Sequence, residues 1–103
     1  MNDALRDVAA ERLRQIEIEG WSKEHDNTHS DGQLAEAAIC YIYHATLPDK
    51  NRQDVCGWPV DWPWDMTWWK PTDRRRDLVK AAALILAEIE RLDRCFTKGE
   101  QDD

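Results

Sequence analysis

Positive charge is in short supply in this sequence. Lys and Arg number 14 against 21 Asp and Glu, a net charge of −7, which disfavours direct binding to nucleic acid or to an anionic membrane. The balance suits soluble partners or hydrated cations. Cysteine is sparse as well: Cys40, Cys56 and Cys95 are odd in number, widely spaced and in no CxxC arrangement, which argues against a disulfide framework and a structural zinc site. Reduced thiols in a cytoplasm are the expectation. No charged-then-apolar leader precedes a cleavage site, and the longest apolar run, Ala81 to Ala87, is far too short to span a bilayer. A cytoplasmic protein acting inside the cell that makes it is therefore expected.

The 103 residues suit one domain, enough to bury roughly 60–65% of the surface of the unfolded chain. From Asn2 to Glu19 the apolar residues Leu5, Val8, Leu13 and Ile16 recur at helical spacing, with Asn2 or Asp3 as N-cap and Gly20 as the stop. Residues 21–30 have no period and read as a polar loop. Ser30 or Asp31 can cap a second helix reaching Tyr43 or Thr46, with Leu34, Ala37, Ala38, Tyr41 and Ile42 on its inner face. All four prolines lie between Pro48 and Pro71, so this stretch reads as a long crossing loop with a short helical turn. Five of the six tryptophans crowd into the same loop, from Trp58 to Trp69, and can pack it.

Thr72 or Asp73 begins a last helix that continues to about Cys95, with Leu78, Ala82, Ile85, Ile89 and Leu92 on one stripe. The pattern predicts an all-α fold, a bundle of three main helices spanning residues 1–96, followed by a polar, fraying tail over 97–103. Because Ala81 to Leu84 make the last helix apolar nearly all round, a homo-oligomer is expected to complete the burial.

Three groups of residues could carry chemistry. Between Glu17 and Glu36 stand Glu17, Glu19, Glu24, Asp26, Asp31 and Glu36 with His25 and His29. Such oxygen ligands can hold magnesium together with substrate phosphates and water, or they can form a solvated face. His25 and His29 could serve as base or phosphate donor, or orient the loop by hydrogen bonds. Arg74, Arg75 and Arg76 open the last helix, where cations oppose the helix dipole and need compensation. They can pair with carboxylates, or form with Lys70 and Lys80 a corner for phosphoryl oxygens. The tryptophans can fill a satellite core or offer an indole face to a nucleobase.

Most of the chain resembles a group of small phage- and prophage-encoded proteins. The shared signature reads here Glu19-Gly20-Trp21, Glu24-His25-Asp26, His29, Gly32-Gln33-Leu34-Ala35, Trp62-Pro63-Trp64, Trp68-Trp69-Lys70-Pro71 and the run from Arg74 to Arg94. More distantly, Gly32 to Ala38 and Asp77-Leu78-Val79 are similar to segments of the MazG-like all-α nucleotide pyrophosphohydrolases. Those are dimeric helical proteins whose EExxE and ExxD motifs hold magnesium around a nucleoside triphosphate. Gln33 stands where they carry a second carboxylate and Arg74 where the Glu of ExxD would be. Only Glu36 and Asp77 carry over as metal ligands, so the resemblance implies nucleotide binding more directly than hydrolysis.

The resulting expectation is a phage-type helical protein that binds a nucleotide or nucleotide-like small molecule. Its contacts would be Trp21, His29, Trp69, Lys70, Arg74, Arg75 and Arg76. If it hydrolyses a triphosphate, magnesium would sit on Glu17, Glu19, Glu36 and Asp77, with Glu24 or His25 as base. Two alternatives are a counter-defence protein that sequesters a nucleotide signal without turnover, and an acidic protein-binding inhibitor.

Overall fold

The computed structural model describes residues 2–18, 32–48 and 62–100, excepting the side chains of Met66 and residues 96–100. Among the described residues the protein is all-α, with three helices packed together and no strand. No helix there is long and apolar enough to cross a membrane.

Helix α1 spans Asp3–Glu17, and Asn2 caps it by accepting the Leu5 N–H at 2.9 Å. The helix meets the expected N-cap and stops two residues short of the expected end. Its inward face differs from the sequence expectation. Glu11, Arg12 and Gln15 are buried, Leu5 and Leu13 are exposed, and Val8 and Ile16 are partly covered. The reason lies in the third helix, whose first turn brings two arginines to this polar face.

Helix α2 spans Gln33–Thr46. Its N-cap is Gly32, at φ +89°, rather than Ser30 or Asp31; this left-handed backbone is one that glycine adopts without strain. Leu34, Ala37, Ala38 and Tyr41 point inward as expected, joined by Cys40, His44 and Ala45, while Ile42 is exposed.

The expected short helical turn is a 3-10 turn at Met66–Trp68, closed by Asp65, whose Oδ1 accepts the Thr67 N–H at 2.9 Å. Asp73 then caps helix α3, Arg74–Glu100, accepting the Arg76 N–H at 2.8 Å. This helix runs past Cys95 into the segment read as a tail.

Helix α3 packs against both other helices. Its covered face holds Asp77, Lys80, Ala81, Leu84 and Ala87, not the predicted stripe, whose large members Leu78, Ile85, Ile89 and Leu92 are exposed. Small residues let α2 and α3 approach closely, and tryptophans fill what remains. Trp62 is buried among Leu34, Tyr41 and Leu84, with Trp64 and Trp69 packed against that cluster. Ring centroids lie 4.7 Å apart for Tyr41 and Trp69, 4.9 Å for Trp62 and Trp69, and 5.4 Å for Trp62 and Trp64, within the range of favourable aromatic pairs. Trp62, Trp64 and Trp69 are thus part of the main core.

Candidate ligand-binding cleft

The site begins with a helical repeat of polar residues. Glu11, Arg14 and Gln15 stand at i, i+3 and i+4 on α1 and therefore share a face. Arg14 grips Glu11 through both carboxylate oxygens, each at 2.8 Å, and Gln15 Nε2 donates to Oε2 at 3.1 Å. From α3, Arg76 donates to Oε1 of the same carboxylate. The Glu11 side chain is fully buried. Burial raises its pKa, but Arg14, Arg76 and Gln15 outweigh that effect and hold it below the ordinary 4.5.

One turn beyond Arg76, Lys80 donates to the Lys70 carbonyl at 2.5 Å and sits 5.7 Å from the centre of the Tyr41 ring. Burial, then the nearby Arg76 charge, pushes the Lys80 amine below its ordinary 10.5, with Glu11 and Asp77 opposing. Lys70 is fixed at its backbone, where its N–H donates to the Tyr41 hydroxyl at 3.2 Å, and its ammonium lies 5.5 Å over the Trp68 ring.

Together Glu11, Arg14, Gln15, Tyr41, Trp68, Lys70, Lys80 and Leu84 line a shallow cleft open to solvent on one side, whose enclosed part, about 10 Å³, has room for roughly one water. Its charge is unlike that of the whole chain. Arg14, Lys70 and Lys80 line it, Arg76 reaches its one carboxylate, and that carboxylate is already engaged. Gln15 is 2% exposed, and its Oε1 has no hydrogen-bond partner among the described residues, although a buried amide oxygen ordinarily finds one. The cleft therefore combines three cations, a buried acceptor and the indole of Trp68, which is 39% exposed.

The residues expected from sequence are distributed otherwise. Glu19, Trp21, Glu24, His25 and His29 lie outside the described residues. Glu17 ends α1 and Glu36 lies in the first turn of α2, both exposed. Asp77 is fully buried, with Oδ1 accepting the Thr72 N–H at 2.6 Å and Oδ2 paired with His44 Nδ1 at 2.5 Å. A hydrated magnesium ion would have to displace those partners, because it keeps several waters and needs room for them. Among the described residues no group of three or more His, Cys, Asp or Glu could hold a metal ion.

The arginines are tied into the fold. Arg74 Nε donates to the Ala45 carbonyl at 2.8 Å and Nη2 to that of Leu47 at 3.1 Å, meeting the negative end of α2. Arg75 pairs with Asp7 at 2.8 Å and Arg76 with Glu11. Among the described residues these partners come from α1 and the end of α2. Trp69 packs on Tyr41 and His44. Of the expected contacts, Lys70 and Arg76 meet at the cleft.

Glu11, Arg14, Gln15 and Trp68 were not singled out from sequence, and Tyr41 and Lys80 only as core and supporting charge. A signal was there in Glu11-Arg12-x-Arg14-Gln15, a polar run crossing what otherwise reads as the inner side of an amphipathic helix. Comparison of the chain with protein families, curated proteins and solved structures finds no match in any of the three.

Proposed function

We propose that this chain is a phage-type nucleotide-binding protein that holds its ligand in the cleft between α1, α3 and the Trp68–Lys70 segment. The observation that carries the reading is the convergence of Arg14, Lys70, Lys80 and Arg76 around one neutralised carboxylate in a chain of net charge −7. Several cations brought together at the mouth of one shallow cleft suit phosphoryl oxygens, and guanidinium groups meet them in a planar fork. Trp68 offers a face on which a base can stack, worth about 1–3 kcal/mol, and Gln15 Oε1 can accept from an exocyclic amine or ring N–H.

Binding without turnover is the form of this reading that asks least of the described carboxylates. Asp77 has both oxygens engaged, and Glu17 and Glu36 are solvated at separate helix ends.

Calorimetric titration with a panel of nucleoside mono- and triphosphates and cyclic nucleotides, with and without magnesium, tests this directly. Binding is expected, with Trp68→Ala and Lys70→Ala each weakening it at least about tenfold, some 1.4 kcal/mol, while melting temperatures of the free variants stay near wild type. Absence of heat and thermal shift with every nucleotide would defeat the proposal. Release of pyrophosphate or phosphate would replace sequestration by catalysis.

A further inference from the structure

Lys80 stands in surroundings unlike those of a surface lysine. It is 8% exposed, lies one turn beyond Arg76 on α3, and borders the cleft beside Arg14 and Lys70. Glu11 and Arg14 act on it from α1 and Arg76 and Asp77 from α3 itself, while Tyr41 of α2 presents its ring at 5.7 Å. Both carboxylates are turned to other partners, Glu11 to Arg14, Gln15 and Arg76, and Asp77 to Thr72 and His44. Among the described residues the Lys80 amine donates only to the Lys70 carbonyl, at 2.5 Å. A buried ammonium with no carboxylate of its own is costly. Burial, then the Arg76 charge, favours the neutral amine, with Glu11 and Asp77 opposing. The result is a nucleophilic nitrogen at the edge of a cluster of cations.

We propose that Lys80 is a site of reversible carbamate formation with dissolved carbon dioxide, the product being held by the cations of the cleft. The lone pair of the neutral amine attacks the carbon of carbon dioxide. A C–N bond forms, one C–O π bond opens onto its oxygen, and a proton passes from nitrogen to water at the open side of the cleft, leaving Lys–NH–CO2⁻ with no other co-reactant. The carbamate nitrogen keeps one N–H, so the Lys70 carbonyl retains its donor. The new carboxylate brings negative charge beside Arg14 and Arg76, whose guanidinium groups suit its oxygens. A buried cation without a carboxylate is thereby exchanged for an anion among cations. The size of the opening selects the electrophile: an enclosed part of about 10 Å³ admits a molecule as slender as carbon dioxide and excludes bulkier aldehydes and acyl donors. This chemistry requires no nucleotide, so it stands or falls separately from nucleotide binding.

The test equilibrates the full chain with isotopically labelled bicarbonate and carbon dioxide at neutral to mildly alkaline pH, fixes carbamates with a trialkyloxonium reagent, and maps the label by peptide mass spectrometry. Label is expected on Lys80, at an occupancy at least about tenfold that of the same lysine in chain unfolded in guanidinium chloride, the ratio that one unit of amine pKa supplies. At fixed dissolved carbon dioxide the occupancy should rise with pH, as the amine loses its proton. Lys80→Arg, which keeps the charge, should abolish the label. Arg76→Gln should lower it several-fold, by favouring the ammonium and removing a partner of the anion. Glu11→Gln should raise it, by releasing Arg14 and Arg76 from their shared carboxylate. Melting curves identify variants that do not fold, and the comparison of folded with unfolded wild type decides without them. No label on Lys80 of the folded chain, or no more than in the unfolded chain, would overturn the proposal. Equal labelling in a folded Arg76→Gln variant would overturn the part assigned to the cations.

Discussion

Helix α3 makes two contacts of opposite character inside one small domain. Towards α2 it meets Leu34, Ala37, Ala38 and Tyr41, with Trp62 completing a dry cluster. Towards α1 it meets a clamp of charges, in which Asp7, Glu11 and Arg12 pair with Arg75, Arg76 and Glu90. The first contact is held mainly by area removed from water and by close packing, with the buried His44–Asp77 pair beside it. The second depends on charge pairs of graded exposure, from Glu11, fully buried, to Arg75, 62% exposed at its side chain. The difference separates what makes the fold stable from what shapes the cleft. The apolar contact closes the core, and the polar one leaves cations beside an opening.

The largest expected effect breaks the apolar side. Leu84 is fully buried in the central cluster, so Leu84→Ala should cost about 3–4 kcal/mol, read as a fall of more than about 10 °C in melting temperature. A smaller loss would mean that Trp62 and Trp69 relax into the space. Next comes Glu11→Ala, expected to cost about 2–3 kcal/mol by leaving Arg14 and Arg76 facing one another. This is less than for a fully enclosed pair, because both arginines retain access to water. The pH dependence sharpens the same point. The folded Glu11 carboxyl titrates below its ordinary 4.5, so its contribution is fully present above that pH and is lost as the pH falls through the lower folded value. Urea midpoints of wild type should therefore fall on acidification below about pH 4.5, and Glu11→Gln should flatten that dependence. The smallest effect belongs to Arg75→Ala, at most about 0.5 kcal/mol, since exposed ion pairs contribute little. A larger loss there would show that the α1 clamp acts as one network.

Part of this architecture was readable from local pattern. Asn2 and Asp73 cap their helices as the residue types suggest, the 3-10 turn falls within the proline-rich stretch, and the apolar spacing marks three helices. Which face turns inward is not carried by that spacing, for a specific reason. Helix α3 carries two rows at helical spacing, Ala81, Leu84 and Ala87 on one side and Leu78, Ile85, Ile89 and Leu92 on another. The larger residues look like the core, yet the smaller ones take that place because Tyr41, Trp62 and Trp69 bring the bulk from elsewhere. On α1 the same bias towards Leu5 and Leu13 hid the role of Glu11, Arg14 and Gln15.

The sequence by itself determined that the three described segments are helical and where α1 and α3 begin, because capping and periodicity act between residues three or four apart. Only the tertiary structure decided which carboxylate each arginine meets, which row of α3 is covered, and that Lys70, Lys80 and Arg14 border one cleft. Those outcomes join residues far apart in the chain, Glu11 with Arg76 at a separation of 65 and His44 with Asp77 at 33. No local preference encodes such a pairing, since it exists only once the helices have packed and charges removed from water must find partners.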